Sequence, residues 1–283
     1  MAVLPFIPGI NISILVDGRQ ATEHIPQPLN FPTLIDTTGD EGIEHNQCYI
    51  QCHADSPFAI RFRISSDFKF PWGKTTLIIY VYVDGKPFDN RIIQKRDIVK
   101  ATSGDAEHVG LISYCHRELS DGSSESYKPI FRYIRHPVYQ SDDGSGISDP
   151  NCITALGSIQ VAIAVARNAG PGTMGNDEFR DDKGNASLVI DNLALDRYGY
   201  GQHYGTTYTR TNESLSMDYL AVDREEHIGN FFFYYQSPPA ENAQNNLKER
   251  FIDQNSDEMV HQLSKPSRPH KMSDVPQTTW VGK

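Results

Sequence analysis

The densest group of potential metal ligands in this 283-residue sequence is His45, Cys48, Cys52 and His53. Zinc holds its donors within about 2.3 Å of the ion. On a helix the two cysteines would share a face, but the flanking residues alternate as in a strand, where four residues span about 13 Å. Two thiolates that far apart cannot meet one ion without a bend. Cys48, Ile50 and Cys52 are therefore expected to line one face of a core as small apolar residues, with no metal bound.

Other chemical motifs weaken in the same way when their spacing is tested. Gly170-Pro171-Gly172-Thr173-Met174-Gly175 matches the dinucleotide fingerprint and follows an apolar strand. A pyrophosphate, however, needs a helix N-terminus at that loop, and Asp177, Glu178, Asp181 and Asp182 would repel it, so the segment reads as a loop. Asp142, Asp143 and Asp149 lack the spacing of a calcium loop and read as a solvated turn. His108 and His116 flank an apolar stretch with Cys115 beside it, but no third group marks itself as the orienter of a nucleophile and base. No phosphate-binding lysine loop and no GxSxG elbow occurs. No cofactor is expected.

The segment with unusual chemistry is Arg197, Tyr198, Tyr200, His203, Tyr204, Tyr208 and Arg210, its rings interleaved with Gly199, Gly201 and Gly205. Tyrosine offers a large apolar face with a polar tip at low entropic cost, and the flanking cations add local positive charge to an acidic chain. These seven residues are the expected contact surface. The competing expectation is that the rings fold back over an open sheet face.

Acidic side chains number 36 against 26 basic, a net charge of −10, which disfavours nucleic acid as a partner. No stretch approaches the ~20 apolar residues a membrane-spanning helix needs, so no membrane association is expected. The start, MAVLPFIPGI, lacks a basic region and is interrupted by Pro5 and Pro8, unlike a secretory or transit peptide. Four cysteines, Cys48, Cys52, Cys115 and Cys152, are too sparse for a disulfide framework and read as reduced thiols in cytoplasm or nucleus. The N-x-S/T matches at Asn11, Asn185 and Asn212 would matter only in a secreted protein.

These residues are positioned by short strands. Ile10, Ile12, Ile14 and Val16 recur at every second position, as do Phe58, Ile60, Phe62 and Ile64, with Arg61 and Arg63 on the other side. Leu77 to Val83 is apolar on both faces and reads as a central strand. Asp17-Gly18 and Asp84-Gly85 supply hairpin turns. Further strands are expected at Arg91–Val99, Val109–Cys115, Ile130–Arg135, Ile159–Val165 and Phe231–Tyr235. In the fourth of these, Ala162, Ala164 and Ala166 leave room for something to pack closely on the second face. Arg19 to Gln47 reads as a long acidic connection, and Leu188 to Leu195 fits helix or strand.

Seven or eight short strands divided by Gly, Asp, Asn and Pro clusters predict a mainly β fold, a two-layer antiparallel β-sandwich. It is expected over residues 1–236, with a long insertion at about 168–228. Residues 237–263 carry Leu247, Phe251, Met259 and Leu263 at amphipathic-helix spacing, and 264–283 form a polar, Pro-rich tail expected to be disordered.

The blocks MAVLPFIPGINISILVDGR, FAIRFRI, VYVDGK, LGSIQVAIAV and FFFYYQS, spread over residues 1–236, resemble an uncharacterised fungal family whose shared domain has no assigned function. The resemblance implies an intracellular fungal protein and carries no catalytic residue. The stretch after Arg167 departs from it. With no catalytic or cofactor signature, the chain is expected to be a non-enzymatic interaction module, its partner a protein first and a small molecule or carbohydrate second. A hydrolase or carbohydrate-active enzyme assembled from separate strands is the competing expectation, and weak single-stranded nucleic-acid binding by the tyrosines is the third.

Overall fold

Period-two apolar patterning folds into strands whose apolar sides face one another across a shared core. The computed structural model describes residues 2–5, 7–25, 43–102, 106–118, 124–133, 155–172, 204–212 and 220–236. All belong to the first of two units, Met1–Ser237 and Pro238–Lys283. The expected helix at 237–263 and tail at 264–283 lie outside the described residues.

In chain order the elements are β1 (Ala2–Val3), β2 (Ile10–Val16), β3 (Arg19–Gln20), β4 (Glu23–His24), β5 (His45–Gln51), β6 (Phe58–Ile64) and β7 (Thr76–Val83). Then come β8 (Lys86–Gln94), α1 (Lys95–Thr102), β9 (His108–Ile112), β10 (Cys115–Glu118), β11 (Ser124–Tyr133), β12 (Ser158–Pro171), β13 (Tyr204–Thr211) and β14 (Leu220–Gln236). The fold is mainly β, as the patterning predicts. One layer is the sheet β1-β2-β6-β9, with β3 paired to β2; the other is the six-stranded sheet β4-β5-β14-β12-β7-β8. Among the described residues all strand pairings are antiparallel except β5 with β14, which run parallel. Ile12, Ile60, Phe62 and Ile64 from the first layer pack against Leu77, Ile79, Val161, Ile163 and Phe233 from the second in one buried cluster.

A third sheet, β10-β11-β13, closes one side. Its plug is Phe131, wholly buried, which stacks on Phe58 of the first layer at 4.4 Å and meets Tyr235 of the second at 4.7 Å. Phe131 is also held by its backbone: its N–H donates to Ser56 at 3.0 Å and its carbonyl accepts from Asp55 at 2.7 Å. One ring thus ties three sheets together.

Both Asp-Gly pairs make the turns expected of them. Asp17 and Gly18 have φ of 50° and 75°, and Asp84 and Gly85 have 52° and 73°, the two consecutive positive values of a type I′ hairpin. The alanines of β12 also find their reason. Ala162 pairs with Tyr80 on β7, Ala164 pairs with His227 on β14, and the Tyr80 and His227 rings stack at 5.7 Å. Two rings reaching toward each other across a central strand leave space beneath for no more than methyl groups.

Three expectations need correction. Arg91–Val99 is not one strand: β8 ends at Gln94 and α1 follows, with Ile98 buried, Asp97 in its first turn and Lys100 in its last. Those charges suit the helix dipole, and the short apolar run fits either period. Val109–Cys115 is divided between β9 and β10, which belong to different sheets. The connection Arg19–Gln47 begins with β3 and β4 and ends inside β5, which pairs with β14 far along the chain and with β4, a two-residue strand too short to show a period. Within about 168–228 the structure shows the end of β12, all of β13 and the start of β14; Leu188–Leu195 lies outside the described residues.

Candidate functional site

Cys48 and Cys52 sit where their spacing predicts, in the main core beside Ile50, and both are buried. Burial pushes each thiol up to about 12, so neither is a thiolate poised for a metal or an electrophile. Among the described residues no group of three His, Cys, Asp or Glu side chains converges as a metal site. Of the GPGTMG match, Gly170 and Pro171 end β12; Thr173, Met174 and Gly175 lie outside the described residues, as do Asp142, Asp143 and Asp149.

The strongest polar cluster among the described residues centres on Asp84, by its dipeptide no more than a turn former. Asp84, 8% exposed, accepts hydrogen bonds at Oδ1 from Gly157 N–H (2.8 Å) and the Tyr235 hydroxyl, and at Oδ2 from Thr206 N–H (2.8 Å). Thr206 Oγ1 and Tyr235 Oη lie 2.9 Å apart. Burial pushes the Asp84 carboxyl above its usual range, against the lowering by its three donors, and burial beside Asp84 drives the Tyr235 hydroxyl well above its own. Thr206 and Tyr235 are buried as well, so the carboxylate is enclosed among the strands. What it does is join the β7–β8 turn to β12, β13 and β14.

His116 and Ser126 face each other directly across β10 and β11, with Ser126 Oγ 2.9 Å from Nδ1. A hydroxyl against an imidazole is half of a nucleophile and base pair, but the orienting partner would have to meet Nε2, which is buried and unpaired. Burial, helped by the nearby Arg91 charge, lowers the His116 pKa. Asp89 lies 3.1 Å from Arg91, and its burial pushes the carboxyl up to about 6 despite that cation.

Of the seven expected contact residues, Arg197, Tyr198, Tyr200 and His203 lie outside the described residues. The structure brings Tyr204, Tyr208 and Arg210 together on β13, paired along its whole length with β11. Tyr204 and Tyr208 are half-buried against the main core. Tyr208 stacks on Phe88 at 6.0 Å and Tyr204 meets Tyr133 edge-on at 5.6 Å. Arg210 is exposed and pairs with Glu125 at 2.8 Å. Glycine at 205 serves a strand here, not a flexible display.

A different aromatic residue is presented outright. Trp72 is 99% exposed at the tip of the β6–β7 connection. Pro71 to Lys74 form a turn closed by Lys74 N–H to the Pro71 carbonyl at 3.1 Å, with Gly73 at φ 78°, the value a type II turn requires there. Its base is fixed on every side. Ser65 N–H donates to Gly9 (2.8 Å), Thr75 N–H to Ala166 (2.9 Å) and Lys95 N–H to Thr75 (2.8 Å). Lys74 donates to the Arg224 carbonyl and pairs with Glu226 at 3.2 Å. Gly9 fits only because it lacks a side chain: a Cβ there would stand 2.3 Å from Phe68 N.

Beside the turn lies a cleft of about 600 Å³ with Ile7, Phe68 and Ile228 among its apolar lining and Glu44, Asp67 and Glu226 among its charges; Lys69 and, from the turn itself, Pro71 also line it. A register shift in β14 builds this wall. Ile163 pairs with Gly229 and Ala164 with His227, so Ile228 is the extra residue of a bulge, a device that re-aims side chains. His227 Nδ1 and Glu44 Oε2 at the cleft are buried without a hydrogen-bond partner. Trp72 is not among the seven expected contact residues. The signal for it was the run Pro71-Trp72-Gly73-Lys74, a turn whose second position carries a ring with no way back to the core.

The sequence profile of a domain of unknown function, DUF7918, matches residues 9–240. No curated protein and no solved structure matches the chain.

Proposed function

The chain belongs to the DUF7918 family, a domain of unknown function, and for it we propose a non-enzymatic β-sandwich interaction module that meets its partner through the Trp72 turn. The observation that carries this reading is an indole almost wholly in water on a backbone held by bonds to Gly9, Ala166, Lys95 and Arg224. Leaving such a ring in water forgoes about 2 kcal/mol or more of burial, and a rigid mount avoids the entropy of ordering a loop on binding. Tryptophan is also the residue most enriched at interface hot spots. The partner is a protein, and the setting is intracellular, cytoplasmic or nuclear, which the free buried thiols of Cys48, Cys52 and Cys115 support. The fungal source implied by the sequence resemblance is part of the same proposal. The exposed edge of the tyrosine sheet, with Tyr133 and Arg210, is a secondary contact.

The test replaces Trp72 by a photo-crosslinking phenylalanine in the full-length chain inside its native cells. Discrete crosslinked protein species, absent when the label sits at exposed Lys100, are expected. A label at position 72 that crosslinks no more than the one at position 100 refutes the reading. A carbohydrate-active enzyme is the second reading, favoured by Glu44, Asp67 and Glu226 converging on a cleft beside an exposed ring. Glycoside hydrolysis lost on Glu44→Gln would establish it.

A further inference from the structure

Resting on the reading of Trp72 as a contact residue, we infer that its partner is a second copy of this chain, each copy placing Trp72 in the other's cleft. A knob and a hole adjoin each other. Pro71, next to Trp72 in the turn, lines the cleft. A two-fold axis running between them brings each knob over the opposite hole, so both contacts form at once and the assembly closes as a dimer. A single knob and hole on opposite faces would instead propagate a filament.

The cleft suits the occupant. About 600 Å³ is ample for an indole, and Ile7, Phe68 and Ile228 give its faces apolar contact. The indole N–H needs an acceptor when buried, and the cleft lining includes the carboxylates of Glu44 and Glu226, the latter mostly exposed. The rim mixes signs, with Lys69 and Lys74 near Asp67 and Glu226, so the surface can face itself without stacking like charges. A net charge of −10 per chain opposes association, and salt at about 0.15 M screens that repulsion beyond about 8 Å.

Sedimentation equilibrium of the full-length chain from about 1 μM to about 1 mM in 0.15 M salt reads the result, since transient interfaces of this kind fall in the micromolar range. The wild type is expected to pass from monomer to dimer across that range. Trp72→Ala, at a fully exposed position, should keep its circular dichroism and melting temperature while dimerisation weakens at least about 30-fold, the loss of a hot spot. Pro8→Arg, an exposed cleft residue replaced by a chain long enough to fill the cleft, should do the same. Mixed, these two variants restore one of the two contacts and should form a heterodimer tighter than either homodimer. A wild type monomeric throughout, a Trp72→Ala variant that dimerises like the wild type, or a mixture no tighter than its components overturns the inference. Crosslinking at position 72 to other proteins only would leave the interaction-module reading standing while the dimer falls.

Discussion

Replacing Asp84 by alanine should be among the most damaging single changes in the domain, although the residue sits in a hairpin turn. The carboxylate is the acceptor for the N–H groups of Gly157 and Thr206 and for the Tyr235 hydroxyl. Tyr235 keeps Thr206 Oγ1 when the carboxylate goes, so two buried backbone donors are left without a partner. Each orphaned donor costs about 1–3 kcal/mol. The left-handed backbone at φ 52° adds about 1–2 kcal/mol once the residue is alanine. Removing a buried carboxyl returns some of its desolvation cost, and the sum comes to about 3–5 kcal/mol. At this size each kcal/mol moves the melting temperature by about 2–4 °C, so a fall on the order of 10–15 °C is expected. Urea unfolding measures it directly. Asp84→Gly removes the same acceptor without the backbone strain and should lie about 1 kcal/mol above Asp84→Ala. Asp84→Asn, which keeps one acceptor oxygen but turns an amide toward Thr206 N–H, should fall between wild type and alanine. An alanine variant within about 1 kcal/mol of wild type would refute the view that this carboxylate fastens four strands.

Asp89 holds its proton more tightly folded, at about 6, than in the unfolded chain, near 3.8. Its contribution to stability is therefore full below 3.8 and lost as pH rises through 6, and about 3 kcal/mol separates the two ends. Asp89→Asn should gain on wild type by up to that amount between pH 4 and pH 7 in parallel unfolding curves; a constant difference would contradict the buried carboxyl. Tyr204→Ala with Tyr208→Ala should lower stability by about 2–4 kcal/mol, because both rings pack on the core; an unchanged melting curve would return them to the role of displayed contact residues. In a Cys152→Ser background, Cys48, Cys52 and Cys115 should stay silent to an aromatic disulfide reagent until the chain unfolds, and fast labelling of the native protein would show their burial to be wrong.

The alternation of Ile10 to Val16 and of Phe58 to Ile64 was enough to locate β2 and β6 and to say which faces are buried, because a side-chain period of two is a local property of extended backbone. The same holds for Cys48 in β5 and Cys52 just beyond its end, which extended-chain spacing alone separates, and for the two Asp-Gly turns, whose type follows from which residues tolerate positive φ. Sequence could not divide Val109–Cys115 between two sheets, nor Arg91–Val99 between strand and helix, since short apolar runs satisfy either period and partner choice is made far along the chain. The candidate site was less legible still. Tyr204 and Tyr208 stand among glycines in the sequence, and only the folded chain places them half-buried against the core, Tyr208 on Phe88. Trp72 looks like any large apolar residue until the turn is seen to hold it away from everything. The two Asp-Gly pairs make the point most simply. Both hairpins are dictated by the same dipeptide, but Asp17 stays at the surface with one bond from Ser56, whereas Asp84 is buried beneath β13 and β14 and ties them to β12. Backbone conformation at a turn is settled by neighbours in sequence; what surrounds its side chain is settled by strands up to 151 residues away, and burial, which sets the energy of a carboxylate, exists only once those strands have met.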